Sequence, residues 1–88
     1  MKTVEIEITN KLGLHARAAA QLVRLANQFR SDIKIAKNNN MVDAKSIMGI
    51  LLLAASRGTV LTITADGQDE EKAIPALLEL INNKFGEE

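Results

Sequence analysis

Residues 1–29 read MKTVEIEITNKLGLHARAAAQLVRLANQF, and the period of their apolar positions changes once. Val4, Ile6 and Ile8 alternate with Thr3, Glu5, Glu7 and Thr9, the pattern of a strand with one wet face. From Ala16 to Phe29 the apolar residues Ala19, Leu22, Val23, Ala26 and Phe29 return at helical spacing, while Arg17, Gln21, Arg24 and Gln28 line another face. A half-buried strand feeding a one-faced helix needs a sheet to pack on, so the rest of the chain must supply its other strands. Ile33 and Ile35 alternate with Asp32, Lys34 and Lys37, the turn residues Asn38-Asn39-Asn40 follow, and Met41 to Ala44 returns, which reads as a hairpin. Ser46 stands where a short helix over the apolar stretch Ile47 to Ala55 expects its N-cap. Val60 to Ala65, rich in β-branched residues, is a strand ending at Asp66-Gly67. Asp69 is the expected cap of a last helix, with Glu70 and Glu71 in its first turn and Ile74, Leu77, Leu78, Ile81 and Phe85 on its apolar face. Pro75 conflicts with a regular helix begun at Asp69, because its missing N–H removes a backbone bond.

The order is therefore β-α-β-β-α-β-α, an α+β arrangement with an antiparallel sheet and helices on one face. At 88 residues and 9.6 kDa the chain is expected to be one domain over residues 1–88. Leu, Ile, Val and Phe supply 26 residues, enough for an aliphatic core. Eleven basic residues balance eleven acidic ones and the only aromatics are two Phe, which disfavours nucleic-acid binding through either field or stacking. With no Cys and one His, disulfide frameworks, thiol nucleophiles and the common zinc clusters are excluded, so no metal or cofactor is expected. Strand-like alternation at the N-terminus and the short apolar run Ile50 to Ala55 argue against a signal segment or membrane span, and the expected location is the cytoplasm.

Charge is uneven along the chain. Residues 1–65 carry net +5 and residues 66–88 carry net −5. Between Asn10 and Ser31 the charges are Lys11, Arg17, Arg24 and Arg30 with no acid, a setting suited to an anionic ligand or an acidic partner face. The only histidine lies in that window, at the entry to the first helix. No Ser, Thr, Asp or Asn occupies positions 11–20, so the usual side-chain cap is missing and the helix start is open to an anion. Neutral imidazole is a good nucleophile toward phosphorus, and a phosphoryl group once attached would be stabilised by the helix end and by Arg17. His15 is thus a candidate phosphoryl acceptor; the alternative is a histidine that only caps the helix with its ring. No second acid or base accompanies it, so a hydrolytic triad cannot be assembled and the group must come from one protein and leave to another.

These residues resemble a known family, the histidine-containing phosphocarrier proteins (HPr) of the bacterial phosphoenolpyruvate-dependent sugar phosphotransferase system. Gly13-Leu14-His15-Ala16-Arg17 is similar to its active-site motif, and Lys45-Ser46-Ile47-Met48-Gly49 to its second motif at the right separation. The resemblance implies an open-faced β-sandwich, a four-stranded antiparallel sheet covered on one face by three helices. It implies that His15 takes a phosphoryl group on Nδ1 from phosphorylated enzyme I and passes it to sugar-specific enzyme IIA domains, with Arg17 and the Ala16 backbone N–H assisting. The protein would then be a substrate of those enzymes and not itself an enzyme. The family motif usually continues with proline where this chain has Ala18; alanine keeps the helix and adds an N–H, so the site is expected to survive.

Ser46 reads first as a helix cap worth about 1 kcal/mol. The resemblance adds regulatory phosphorylation at Ser46 by an HPr kinase/phosphorylase. Ile47 to Ala55 has more apolar residues than one buried helix face can use. Ile50 and Leu53 suit the core, and Ile47, Met48 and Leu51, with Ala20, are candidates for a partner-docking patch, core filling being their alternative role. A monomer is the expectation for a transient carrier. Two other readings are a regulatory binding module acting through the Ser46 face and a carrier in a nitrogen- or carbon-regulatory branch.

Overall fold

In the computed structural model, which describes residues 1–86, the elements are β1 (Lys2–Glu7), α1 (Ala16–Ala26), β2 (Asp32–Lys37), β3 (Asn40–Asp43), α2 (Ile47–Leu52), β4 (Val60–Asp66) and α3 (Glu70–Asn82). A short 3-10 turn at Lys84–Gly86 follows, and residues 87–88 of the expected domain lie outside the described residues. The four strands form one antiparallel sheet in the order β1-β4-β2-β3, so β4 is central and joins both halves of the chain. Register follows from the two-residue period. Ile6 stands opposite Leu61, Ile63 sits between Val4 and Ile35, and Ala65 faces Ile33. Ile6, Ile33, Ile35, Leu61, Ile63 and Ala65 are buried beneath the helices, while Glu5, Thr62, Thr64 and Lys34 lie on the open face.

The helices add Leu22, Ile50, Leu77 and Ile81 to the core, all fully buried. Between these large side chains stand Ala18, Ala19, Ala26 and Ala73, also fully buried, which let helix backbones approach their neighbours closely. The core is close-packed, so truncating Ile50 to alanine is worth about 2–5 kcal/mol.

Element boundaries depart from the sequence pattern where tertiary contacts compete. The first helix stops at Ala26 and not at Phe29, because the backbone N–H groups of Arg30 and Ser31 bind the Asp69 carboxylate 38 to 39 residues away. The second stops at Leu52 and not at Ala55: Ala54 turns left-handed (φ 51°) and ends the run. Asp69 does stand at the N-cap position of α3, but its side chain makes no cap bond. Its carboxylate instead accepts from Arg30 N at 2.9 Å, Ser31 N at 3.0 Å and the Ser31 hydroxyl. These donors, the Ser31 hydroxyl foremost, hold the Asp69 carboxyl down at about 2. The α3 entry is served by Glu70, whose Oε1 accepts from Gly67 N at 2.9 Å. Pro75 lies inside a continuous α3, on its exposed side, where water can serve the carbonyl that loses its partner. Phe85 is buried, but from the turn after α3 and not from the helix.

Candidate functional site

The segment 10–15 is built to hold the start of α1 in place. Gly13 adopts φ +67°, and a Cβ there would stand 2.5 Å from the Ala55 carbonyl oxygen and 2.8 Å from Ser56 Cα, so only glycine fits. The next residue closes the contact, Leu14 N donating to the Ala55 carbonyl at 2.8 Å while its side chain enters the core. Asn10, fully buried, donates from Nδ2 to the Gly13 carbonyl at 2.8 Å. The same carbonyl accepts from His15 N at 2.9 Å.

His15 is the N-cap residue of α1, with extended backbone (φ −74°, ψ 178°). Its ring makes no cap hydrogen bond, which removes the reading of a histidine that only caps the helix. The first helical bond runs from Ala19 N to the His15 carbonyl at 2.8 Å. Ahead of it the N–H groups of Ala16, Arg17 and Ala18 are the helix-end donors. The first turn holds no acid, and no ion pair engages Arg17 among the described residues. His15 is half-buried and Ala16 and Arg17 are exposed, so the histidine, Arg17 and the Ala16 N–H share one accessible helix end. This sets an imidazole beside the positive partial charges of a helix start. Among the described residues no group of three or more His, Asp or Glu could hold a metal ion.

Ser46 caps α2 as its position suggests: backbone φ −114°, ψ 117°, and Oγ accepting from Gly49 N at 3.2 Å. The α2 entry is tied to the exit of α1, since Lys45 Nζ donates to the Phe29 carbonyl at 2.8 Å. The other end of α2 lies toward the His15 loop, through the Ala55 contact with Leu14. The eleven residues of α1 span roughly 16 Å at about 1.5 Å each, so Ser46 and His15 belong to opposite ends of that helix.

The apolar residues of α2 divide as their spacing suggests. Ile50 and Leu53 are buried, at 0 % and 4 % exposed. Ile47, Met48 and Leu51 are exposed at 40 %, 65 % and 37 %, so core filling is not their role, and Ala20 on the adjoining α1 is half-buried. Sequence reasoning missed two further exposed apolar residues on these segments, Leu12 at 65 % and Leu52 at 76 %. Leu12, a large apolar residue between Lys11 and Gly13 in a turn, carried a signal; Leu52, inside a uniformly apolar run, did not.

No helix among the described residues is long and apolar enough to cross a membrane. The family model for the PTS HPr component phosphorylation site matches residues 2–83. Phosphocarrier protein HPr of Cupriavidus necator is 56% identical over 80 residues, covering 91% of this chain and 90% of that one. HPr from Thermoanaerobacter tengcongensis superposes with a TM-score of 0.97 at 57% identity, over 100% of this chain and 99% of that one. An HPr dimer from the same organism gives a TM-score of 0.80 at 56% identity, over 99% and 100%. Matched along nearly all its length in both sequence and backbone, the chain belongs to the HPr family, the phosphocarrier proteins of the phosphotransferase system.

Proposed function

We propose that His15 carries the phosphoryl group, receiving it from phosphorylated enzyme I and delivering it to enzyme IIA domains. One observation supports this most: the only histidine of the chain stands at the N-cap of an acid-free helix start, with its ring making no cap bond. In the forward step Nδ1 attacks phosphorus as the donor's bond to phosphorus breaks; in the second step the acceptor takes phosphorus and Nδ1 keeps its electron pair. The Ala16 N–H and the Arg17 guanidinium stabilise the bound dianion, the helix end contributing about 0.3–2 kcal/mol. In this role the protein is a substrate of its partners and not itself an enzyme, in the cytoplasm and as a monomer. One domain spanning residues 1–88 suffices for this role.

Ala20, Ile47, Met48 and Leu51 form the docking patch. An apolar, Met-containing surface suits several partners of different shape, each held briefly. Ser46 is the regulatory position, modified by an HPr kinase/phosphorylase. A phosphate there carries about −1.5 to −2 charges at pH 7. Ser46 stands at the α2 entry, beside the exit of α1 and away from its His15 end, so a phosphate there acts on the docking partner and not on the His15 ring.

The test is intact mass after incubation with phosphoenolpyruvate, magnesium and an enzyme I active on another carrier. One acid-labile phosphate, absent from His15→Ala, is the expected result. A folded wild-type protein that gains none refutes the reading.

A further inference from the structure

We propose that Asn10 is a positioning residue for phosphoryl transfer: it sets the orientation of His15 through the Gly13 carbonyl. This rests on His15 being the acceptor. Asn10 and Ser31 are the two buried polar residues among those described, both within 1 % of complete burial. Ser31 serves the Asp69 clasp, at the opposite end of α1 from His15. Asn10 serves the loop that presents His15. Its Nδ2 donates to the Gly13 carbonyl at 2.8 Å, and its own carbonyl accepts from Gly13 N at 3.2 Å. The Gly13 carbonyl is thereby gripped by two donors, Asn10 Nδ2 and, at 2.9 Å, His15 N.

This geometry has a chemical consequence. The carbonyl that the amide fixes is the one that holds the His15 backbone, so the direction in which the ring leaves the helix depends on that amide. The His15 N–H is also committed to the loop, which leaves the N–H groups from Ala16 onward to meet a phosphoryl group. Asn10 is fully buried, so removing its side chain takes from the Gly13 carbonyl its amide donor. The loop then keeps only its backbone bonds, Gly13 N to the Asn10 carbonyl, His15 N to the Gly13 carbonyl and Leu14 N to the Ala55 carbonyl, and the Gly13 carbonyl that orients the nucleophile is less firmly held. Small displacements of this kind cost up to about a hundredfold in rate. Asn10 acts through the Gly13 carbonyl, and the docking patch of Ala20, Ile47, Met48 and Leu51 lies on other elements.

The experiment compares wild type with Asn10→Ala, and with Asn10→Leu, which restores volume without a donor. Phosphorylation by enzyme I is followed over a range of carrier concentrations, well below each variant's melting temperature, together with amide hydrogen exchange at His15. The expected result for both variants is a kcat lower by about ten- to a hundredfold. KM is unchanged, and His15 exchange is faster by about tenfold. A residue that only supported stability would reduce the folded fraction, raise the apparent KM and leave kcat alone; that result overturns the inference. Unchanged His15 exchange overturns it too. A wild-type protein that accepts no phosphoryl group refutes the acceptor reading and the inference with it, whereas an active wild type with equally active variants refutes only the role of Asn10.

Discussion

Replacing Gly13 by alanine tests whether the loop before His15 is held by backbone shape, and Gly58 supplies the control. Both glycines have left-handed backbone, φ +67° and +91°. They differ in surroundings: a Cβ on Gly13 meets the Ala55 oxygen at 2.5 Å and Ser56 Cα at 2.8 Å, whereas a Cβ on Gly58 meets nothing within 4 Å. The left-handed conformation costs an alanine about 1–2 kcal/mol, partly offset by about 0.4–1 kcal/mol from the stiffer unfolded chain. Gly58→Ala is therefore expected to lose about 1 kcal/mol. Gly13→Ala carries that cost together with about 1–3 kcal/mol of overpacking against backbone atoms and about 1 kcal/mol for the strained bond from Leu14 N to the Ala55 carbonyl. The expected loss is about 3–5 kcal/mol, which leaves a domain of ordinary stability, about 5–15 kcal/mol, mostly folded at low temperature. Denaturant unfolding of both variants gives the difference, and the rate of phosphorylation by enzyme I, measured on folded protein, gives the functional effect. Gly13→Ala should be slower by up to about a hundredfold and Gly58→Ala unchanged. Equal stability of the two variants would refute the steric argument. A destabilised Gly13→Ala that accepts phosphate at the wild-type rate would refute the link between loop shape and transfer.

Three further outcomes follow from the same structure. Ala54→Gly relieves a left-handed alanine just beyond α2 and should raise Tm by about 3–6 °C in a thermal melt, corresponding to about 0.5–1 kcal/mol. Asp69 has its folded-state carboxyl lowered from 3.8 to about 2, so its contribution is complete above the unfolded value and is lost as pH falls from about 4 through 2. Asp69→Asn should melt below wild type at pH 7, and the gap should narrow across that acid window; a constant gap would show that the carboxylate charge is not the cause. Met48→Asp, at a site 65 % exposed, should leave Tm within about 2–4 °C of wild type while raising KM for enzyme I severalfold, read from steady-state phosphorylation.

What the sequence revealed was local. The alternation of Val4, Ile6 and Ile8 and the helical return of Ala19, Leu22 and Ala26 need only neighbouring residues, and the structure places strand and helix there. The Ser46 cap and the uncapped start of α1 are equally local, since each spans three or four residues. The misreadings involve partners far along the chain. Asp69 looked like a helix cap, but its carboxylate is claimed by Arg30 and Ser31, 38 to 39 residues away in sequence and brought close by the pairing of β2 with β4. The reason for glycine at position 13 lies at Ala55 and Ser56, and nothing near Asn10 in sequence announced a buried amide. Exposure on α2 was half legible: spacing separated Ile50 from Met48, yet Leu52 needed the actual helix end, at Leu52 itself, to be seen as solvent-facing.

The central place of β4 determines when a nascent chain can acquire its reactive centre. The strand that leads into the histidine loop pairs only with residues 60–65, and the loop itself leans on Ala55. At a synthesis rate of about 5–20 residues per second, the first 26 residues wait roughly 2 to 8 seconds for residues 27–66 to be added before their sheet partner exists. A chain interrupted before β4 therefore has the histidine and the helix sequence but no frame to hold them in order. The early hairpin of β2 and β3 can close by itself, whereas β1 must join late, through contacts distant in sequence. The loop that carries the proposed acceptor is thus ordered late in folding, once β4 has joined β1.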